Sequence, residues 1–246
     1  MRFAVPIQIL AALGAVVVLS TGAQANVAVR DVCDKPLPAR LMAGPFVETG
    51  AVKGGDTFVV LYSGDGGWAK ADCEFSHLLA ERGLPVVGVN SVRYFAKGRT
   101  PDAAAADLAR LIDDYSARWG KPKVVLMGYS FGASALPIIA DRLPAAERAM
   151  IEEMVLAGPG ERGELVLRPR TWFGRLAANA APVEPAIEQL AGLRVVCVYG
   201  DADPSAACSR FRPGEVELHS VPGTHRFKGA YAAVVDAVTE PPKPGS

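Results

Sequence analysis

Apolar, largely β-branched runs at Thr57–Tyr62, Val86–Val89, Val124–Met127, Met154–Ala157 and Val195–Tyr199 recur along the chain, separated by helical patterns. Strands so uniformly apolar are buried on both faces, and parallel strands need long crossover connections. The alternation therefore predicts an α/β fold, a mostly parallel sheet with helices on both faces. Helices are predicted near 73–82, 101–119, 132–142, 183–191 and 228–238. The strongest is "TPDAAAADLARLIDDYSARWG". There Thr100 can cap the first turn, Pro101 suits it, and Leu108, Leu111, Ile112 and Tyr115 share one face before Gly120-Lys121-Pro122 ends the pattern. A chain of 246 residues in this pattern commonly forms one unit, expected over residues 26–240. The Pro-rich end, 241–246, is expected to be a disordered tail.

The first 25 residues read as an export signal. Arg2 gives a positive start, Val5–Leu19 an apolar core of roughly 15 residues, and Ala23-Gln24-Ala25 a small-residue cleavage site before Asn26. A membrane span needs about 20 apolar residues, so cleavage before Asn26 and export to an oxidising compartment are expected rather than an anchor. Lysine plus arginine equals aspartate plus glutamate, 26 each, so no global field draws the chain to nucleic acid or to an anionic membrane, and any partner must be recognised locally. In an oxidising compartment disulfides are permitted among Cys33, Cys73, Cys197 and Cys208. Cys197 and Cys208 bracket a strand end and the loop after it, and are the favoured pair; two buried free thiols are the alternative.

Two stretches are less regular. Residues 27–50 alternate weakly, as an edge strand or hairpin would. The interval 158–185, rich in Gly, Pro, Arg and aromatics, is either a lid inserted between strands or a plain connection with a surface hairpin.

Gly128-Tyr129-Ser130-Phe131-Gly132 fits G-x-S-x-G, preceded by a strand and followed by a helical, alanine-rich segment. That order is what a nucleophile elbow requires, with small residues on either side of a sharply turned serine. Pro137 inside the helix would remove one backbone hydrogen bond. A serine hydroxyl needs a base to take its proton and a carboxylate to orient that base. Of the three histidines, His77 precedes Ser130 and His219 lies within an alternating last strand, Val216–Val221. His225 follows that strand in the loop "PGTHRFKG" and is the predicted base. "VVCVYGDADPSAAC" offers Asp201 and Asp203; Asp203 is the predicted acid, with Asp201 expected to cap its own turn. Backbone amides of Phe131 and of Asp65, in the glycine-rich loop "YSGDGGW", are the expected oxyanion donors. Asp65, Gly66, Trp68 and Tyr129 are the expected substrate contacts, and the charge of Asp65 favours a substrate carrying an amine. Histidines this sparse and cysteines without C-x-x-C spacing predict no metal site, and no cofactor is expected.

The stretches "YSGDGGW", "GVNSVRYFAKGRTPDAAAADLARLIDDYSARWG", "VVLMGYSFGASALPIIADRLP", "CVYGDADPSAAC" and "PGTHRFKG" together resemble the VirJ/AcvB family of bacterial virulence proteins. The resemblance implies an exported α/β hydrolase, of the α/β-hydrolase fold, that removes a lysyl or alanyl group from aminoacylated phosphatidylglycerol. It places nucleophile, acid and base at Ser130, Asp203 and His225, implies an aminoacylated phospholipid at the membrane surface as partner, and associates some members with secretion machinery. Two positions depart from the family pattern: Ala96 stands where an aromatic is usual, and Ser134 where an acidic residue is. Arg93, Arg99 and the Arg168–Arg170 segment are expected candidates for the lipid phosphate. A general esterase or thioesterase with the same triad, and a non-catalytic partner of a secretion apparatus, are the alternative readings.

Overall fold

The computed structural model describes residues 46–49, 53–167, 180–212, 214 and 216–239. The export signal, most of 27–50, residues 168–179 and the tail lie outside them.

The central sheet has seven strands in the order β1-β3-β2-β4-β5-β8-β9. These are β1 (Phe46–Glu48), β2 (Thr57–Tyr62), β3 (Val86–Val89), β4 (Lys123–Tyr129), β5 (Ile151–Ala157), β8 (Arg194–Gly200) and β9 (Glu217–Val221). All neighbours run parallel except β1, which pairs antiparallel with β3 and registers Phe46 opposite Val89. The edge strand expected within 27–50 is thus present at its end.

Side chains alternate along each strand, so each face of the sheet has its own apolar layer. Phe58, Val60 and Tyr62 of β2 point to one face with α3 (Pro101–Trp119), α4 (Phe131–Ala140) and α6 (Val183–Glu188). Val59 and Leu61 point to the other, under α1 (Lys70–Glu81) and α7 (Tyr231–Thr239). Phe58, Phe75, Phe95 and Phe227 are wholly buried between these layers, each worth about 1.5–3 kcal/mol of apolar burial. The α3 expectation holds in detail: Thr100 Oγ1 accepts the Ala103 amide, and Leu108, Leu111 and Ile112 are buried. The helix ends on Gly120 in the left-handed region, φ 64°.

Other helix bounds shift for local reasons. α1 starts at Lys70, earlier than 73, because Asp72 accepts the Ala69 amide and caps the first turn. α7 begins only at Tyr231, after a turn through Gly229 with φ 85°. Two single-turn helices, α2 (Ser91–Tyr94) and α5 (Ala145–Arg148), are too short to show an apolar period. Pro137 sits inside α4, and the helix continues past it with the Asp141 amide bonded to the Pro137 carbonyl.

The ends of the 158–185 interval meet in a two-residue antiparallel ladder of β6 (Arg162–Gly163) and β7 (Ala181–Pro182). The Arg99 amide donates to Leu165 and the Leu167 amide to Phe95, while Leu165 and Leu167 enter the core. The ladder packs on α4, where a Cβ at Gly163 would meet the Ser134 carbonyl at 2.2 Å; residues 168–179, where a lid or a surface hairpin is expected, lie outside the described residues.

Cys197 and Cys208 form a disulfide, as expected, with Cα atoms 5.7 Å apart. It closes the loop that carries Asp203. Opening an 11-residue step of this kind costs about 2–3 kcal/mol through the unfolded state. A Cys197→Ser/Cys208→Ser double variant is therefore expected to lose about that much stability in denaturant titration.

Candidate active site

Ser130 joins the end of β4 to the start of α4 with φ 51° and ψ −110°, a strained conformation for a residue with a side chain. The neighbouring glycines make the turn sterically possible. A Cβ at Gly128 would lie 2.6 Å from the Ala133 backbone, and one at Gly132 would lie 2.2 Å from the Tyr62 carbonyl oxygen. The Ser130 amide is held by the Ala157 carbonyl on β5 at 2.8 Å, so the turn is braced from the adjacent strand.

His225, in the loop after β9, places Nε2 2.8 Å from Ser130 Oγ. Its Nδ1 lies 3.2 Å from Asp203 Oδ2. With Nδ1–H donating to the carboxylate, the Nε2 lone pair is free to take the serine proton. The imidazole lies parallel to the Tyr129 ring, centroids 6.0 Å apart, and fits over Gly158, where a Cβ would come within 3.1 Å of it. The Asp203 side chain is 3% exposed. Burial raises its pKa, but hydrogen bonds from Ser205 Oγ and the Ser205 amide, together with His225, outweigh burial and hold the carboxyl below its usual value.

Asp201 does something other than cap its own turn. Its Oδ1 accepts the Gly223 amide at 2.9 Å, and a Cβ at Gly200 would meet the Gly223 carbonyl at 2.4 Å. The loops bearing acid and base are therefore pressed together and bonded directly.

The loop 64–69 lies over Ser130: a Cβ at Gly64 would sit 3.3 Å from the Tyr129 ring and 3.5 Å from Ser130 Cβ. Phe131 opens α4, so its amide is among the helix's initial donors without an intrahelical partner. Asp65 and Gly66 line a cleft of about 1030 Å³ together with Tyr129, Ser130 and His225. Trp68 does not line it. The indole instead covers Gly88 of β3, where a Cβ would clash at 2.1 Å, and so anchors the loop to the sheet.

The charged groups of the cleft were mostly missed by motif reasoning. Asp72 and Glu74 join Asp65, while Lys70, Arg226 and Lys228 face the same space. Arg226 and Lys228 flank the base in "THRFKG", so their basic pattern was visible but not used. Of the expected phosphate candidates, Arg99 stacks on Tyr94, 4.9 Å from its centroid, and lines a separate small cavity; Arg93 is not among the cleft-lining residues. Arg168 and Arg170 fall outside the described residues. His77 pairs with Glu81, and His219 with Glu217, away from Ser130.

The two positions that depart from the family pattern also lie outside the cleft lining. Ala96 is exposed. Ser134 Oγ donates to the Ser130 carbonyl (3.2 Å) and accepts the Gly160 amide (2.8 Å), tying the elbow helix to the loop after β5.

The profile of the bacterial virulence protein family VirJ matches residues 56–243. The chain belongs to the VirJ family. Among curated proteins, no sequence matches. Solved structures similar to this VirJ-family chain include Est1E from Butyrivibrio proteoclasticus, at 15% identity and TM-score 0.53 over 78% of this chain and 89% of that one. The Pyrococcus furiosus esterase Pf2001 aligns at 13% identity and TM-score 0.53, covering 83% and 94%. A thioesterase domain from the curacin biosynthetic pathway aligns at 15% identity and TM-score 0.52, covering 79% and 94%. At these identities the likeness establishes the α/β-hydrolase fold of the VirJ-family chain.

Asp203→Asn keeps the shape of the acid but accepts only weakly from His225 Nδ1–H and favours the wrong tautomer. Turnover of any ester substrate is expected to fall about 10³–10⁴-fold with little change in thermal midpoint, as steady-state kinetics beside calorimetry would show.

Proposed function

We propose that the chain is a periplasmic serine hydrolase that removes the aminoacyl group, lysyl or alanyl, from aminoacylated phosphatidylglycerol. The observation that carries the substrate class is the mixed charge of the cleft beside Ser130: Asp65 and Glu74 with Lys70, Arg226 and Lys228. An aminoacyl ester of an anionic lipid carries an ammonium next to the scissile carbonyl and a phosphate in its leaving group. A cleft with both signs of charge complements both ends, whereas a simple acyl ester uses neither. The resemblance to VirJ/AcvB proteins points to the same substrate, and the disulfide is consistent with an exported chain.

In this reading Ser130 Oγ attacks the ester carbonyl carbon as its proton passes to His225 Nε2. The Phe131 and Asp65 amides hold the oxyanion, each donor being worth about 2.7–4 kcal/mol in the transition state. The carbon–oxygen bond to the glycerol then breaks, and His225 returns the proton to the departing alkoxide. Water, deprotonated by His225, attacks the aminoacyl-serine, and Ser130 recovers its proton as the amino acid leaves.

Mixed lysyl- and alanyl-phosphatidylglycerol vesicles are expected to lose their aminoacyl groups on addition of the purified protein and not with Ser130→Ala, read by lipid chromatography. Equal activity of the variant sinks the mechanism. Hydrolysis of short-chain esters with no action on the aminoacyl lipids would favour a general esterase or thioesterase. An Arg226→Glu/Lys228→Glu variant is expected to raise KM for the anionic lipid at least tenfold while leaving KM for a neutral short-chain ester within about twofold, the split expected if these cations meet only the leaving group.

A further inference from the structure

Asp72 is a carboxylic acid with 1% exposure at the floor of the candidate cleft, and the mechanism above does not consume it. Its Oδ2 accepts the Ala69 amide at 2.9 Å. Among the described residues no donor completes a hydrogen bond to Oδ1, although the Gly64 amide lies by the carboxyl and favours its charged form. Both amides belong to the loop that carries Asp65. The same loop is fixed at its start by Ser91, whose amide donates to Ser63 Oγ (2.9 Å) and whose Oγ donates to the Ser63 carbonyl (2.6 Å). Trp68 on Gly88 fixes its side chain end, and the Gly67 amide closes the turn onto the Gly64 carbonyl at 3.1 Å.

Asp72 stands at N3 and reaches back to the N-cap amide of Ala69; a fold needing only that contact would be served by a side-chain amide, whose oxygen accepts the same bond with no charge to bury. An aspartate with half its carboxyl unpaired is costly to the fold, and that cost calls for a compensating role. We infer that Asp72 is a positioning residue: its ionised carboxylate holds the Gly64–Ala69 loop so that the Asp65 amide points at the oxyanion above Ser130, and protonation of Asp72 releases that loop.

Burial raises the Asp72 pKa from its usual carboxylate range to about 7, only partly offset by the Ala69, Asp72 and Gly64 amides. The clamp would therefore loosen as pH falls through neutrality. Around it lie Tyr129 on β4, Tyr231 on α7, Lys70 and Glu74 on its own helix, and Asp65, His225, Arg226 and Lys228 on the loops. Tyr129 is pushed up to about 12, by burial first and by the Asp72 charge second, so it stays neutral throughout this range.

The sign for stability is opposite to that for activity. A carboxyl whose folded pKa lies above its unfolded value destabilises the fold when ionised; this cost is absent at low pH and complete above about 7. Asp72→Asn is thus expected to melt at or above the wild-type temperature at pH 8, the gap closing by pH 5. In the same variant, labelling of Ser130 by a fluorophosphonate is expected to slow about 10- to 100-fold, as misplacement of a catalytic donor does. The acid limb of log rate against pH is expected to be steeper in the wild type than in the variant by up to one proton, the one that Asp72 takes up. A purely structural role would lower the melting temperature and leave the acid limb as steep in the variant as in the wild type; that result, or unchanged labelling, overturns the inference.

The inference rests on Ser130 being the nucleophile, and the two can fail separately. If the wild type does not label at all, that reading fails, and amide exchange over 64–69 decides the clamp by itself. Exchange corrected for intrinsic pH dependence should quicken in the wild type between pH 8 and 6, and in Asp72→Asn at both; unchanged protection in the wild type overturns it.

Discussion

The left-handed turn at Ser130 is the constraint on which the remainder of the site depends. A serine at φ 51° lifts its Oγ above the ends of the parallel strands, but only if two backbones approach it more closely than a side chain allows. Gly132 lets the first turn of α4 touch the Tyr62 carbonyl, and Gly128 lets β4 meet Ala133. These approaches set the distance between β2 and α4, and hence the height at which the loop after β2 passes over Ser130. Strain at one residue is thereby held by the packing of two strands and a helix.

The central sheet was legible because its signal is redundant. Five apolar runs of strand length with helices between them allow few topologies once connections are right-handed and short. Ser130, Asp203 and His225 were legible for a related reason: each falls just after the C-terminal end of a strand, where a parallel sheet presents its loops. What escaped was contact that depends on three dimensions. Trp68 belongs to a loop that fits a substrate wall, yet β3 offers it a bare glycine at Gly88, and burying an indole there outweighs pointing it into a wet cleft. Asp201 sits beside Asp203 in sequence with identical chemistry, and only the position of the Gly223 amide separates their tasks. Lys70, Asp72 and Glu74 read as ordinary charges of an amphipathic helix until α1 is placed against the cleft.

The active loops of this chain are held by polar contacts as well as by the apolar packing of residues such as Trp68 and Phe227. Ser63 and Ser91 fasten the loop after β2, Ser134 fastens the loop after β5 through Gly160, and Asp201 fastens the loop after β9. The disulfide does the same for the loop after β8. Hydrogen bonds to loop amides fix direction more sharply than apolar contact does, because a donor has one axis. The proposed reaction, which must aim two amides and an imidazole at one carbonyl carbon, would benefit from fixings of that kind. Small polar side chains supply them without filling the cleft.

The strands that lead to Asp203 and His225 are also tied at a point remote from Ser130. Arg194 at the start of β8 bridges Glu153 on β5 and Glu217 on β9, and His219 closes the chain onto Glu217 at 2.6 Å. Burial raises the Glu153 carboxyl to about 7, with Arg194 pulling the other way. Glu217, which burial also pushes up, is brought below its usual value by hydrogen bonds from His219 and Arg194. Ion pairs this enclosed are a weak source of net stability, since apolar residues of similar volume would serve the core as well. They are specific, however. β5 and β8 are largely apolar strands that would tolerate a slip of register by packing alone, and a slip of β8 would move Asp203 along the strand axis by at least a residue, about 3.3 Å, or move its side chain to the other face. A charge that has partners in one register only penalises every other, so the cluster at the starts of these strands helps to fix the distances measured at their ends.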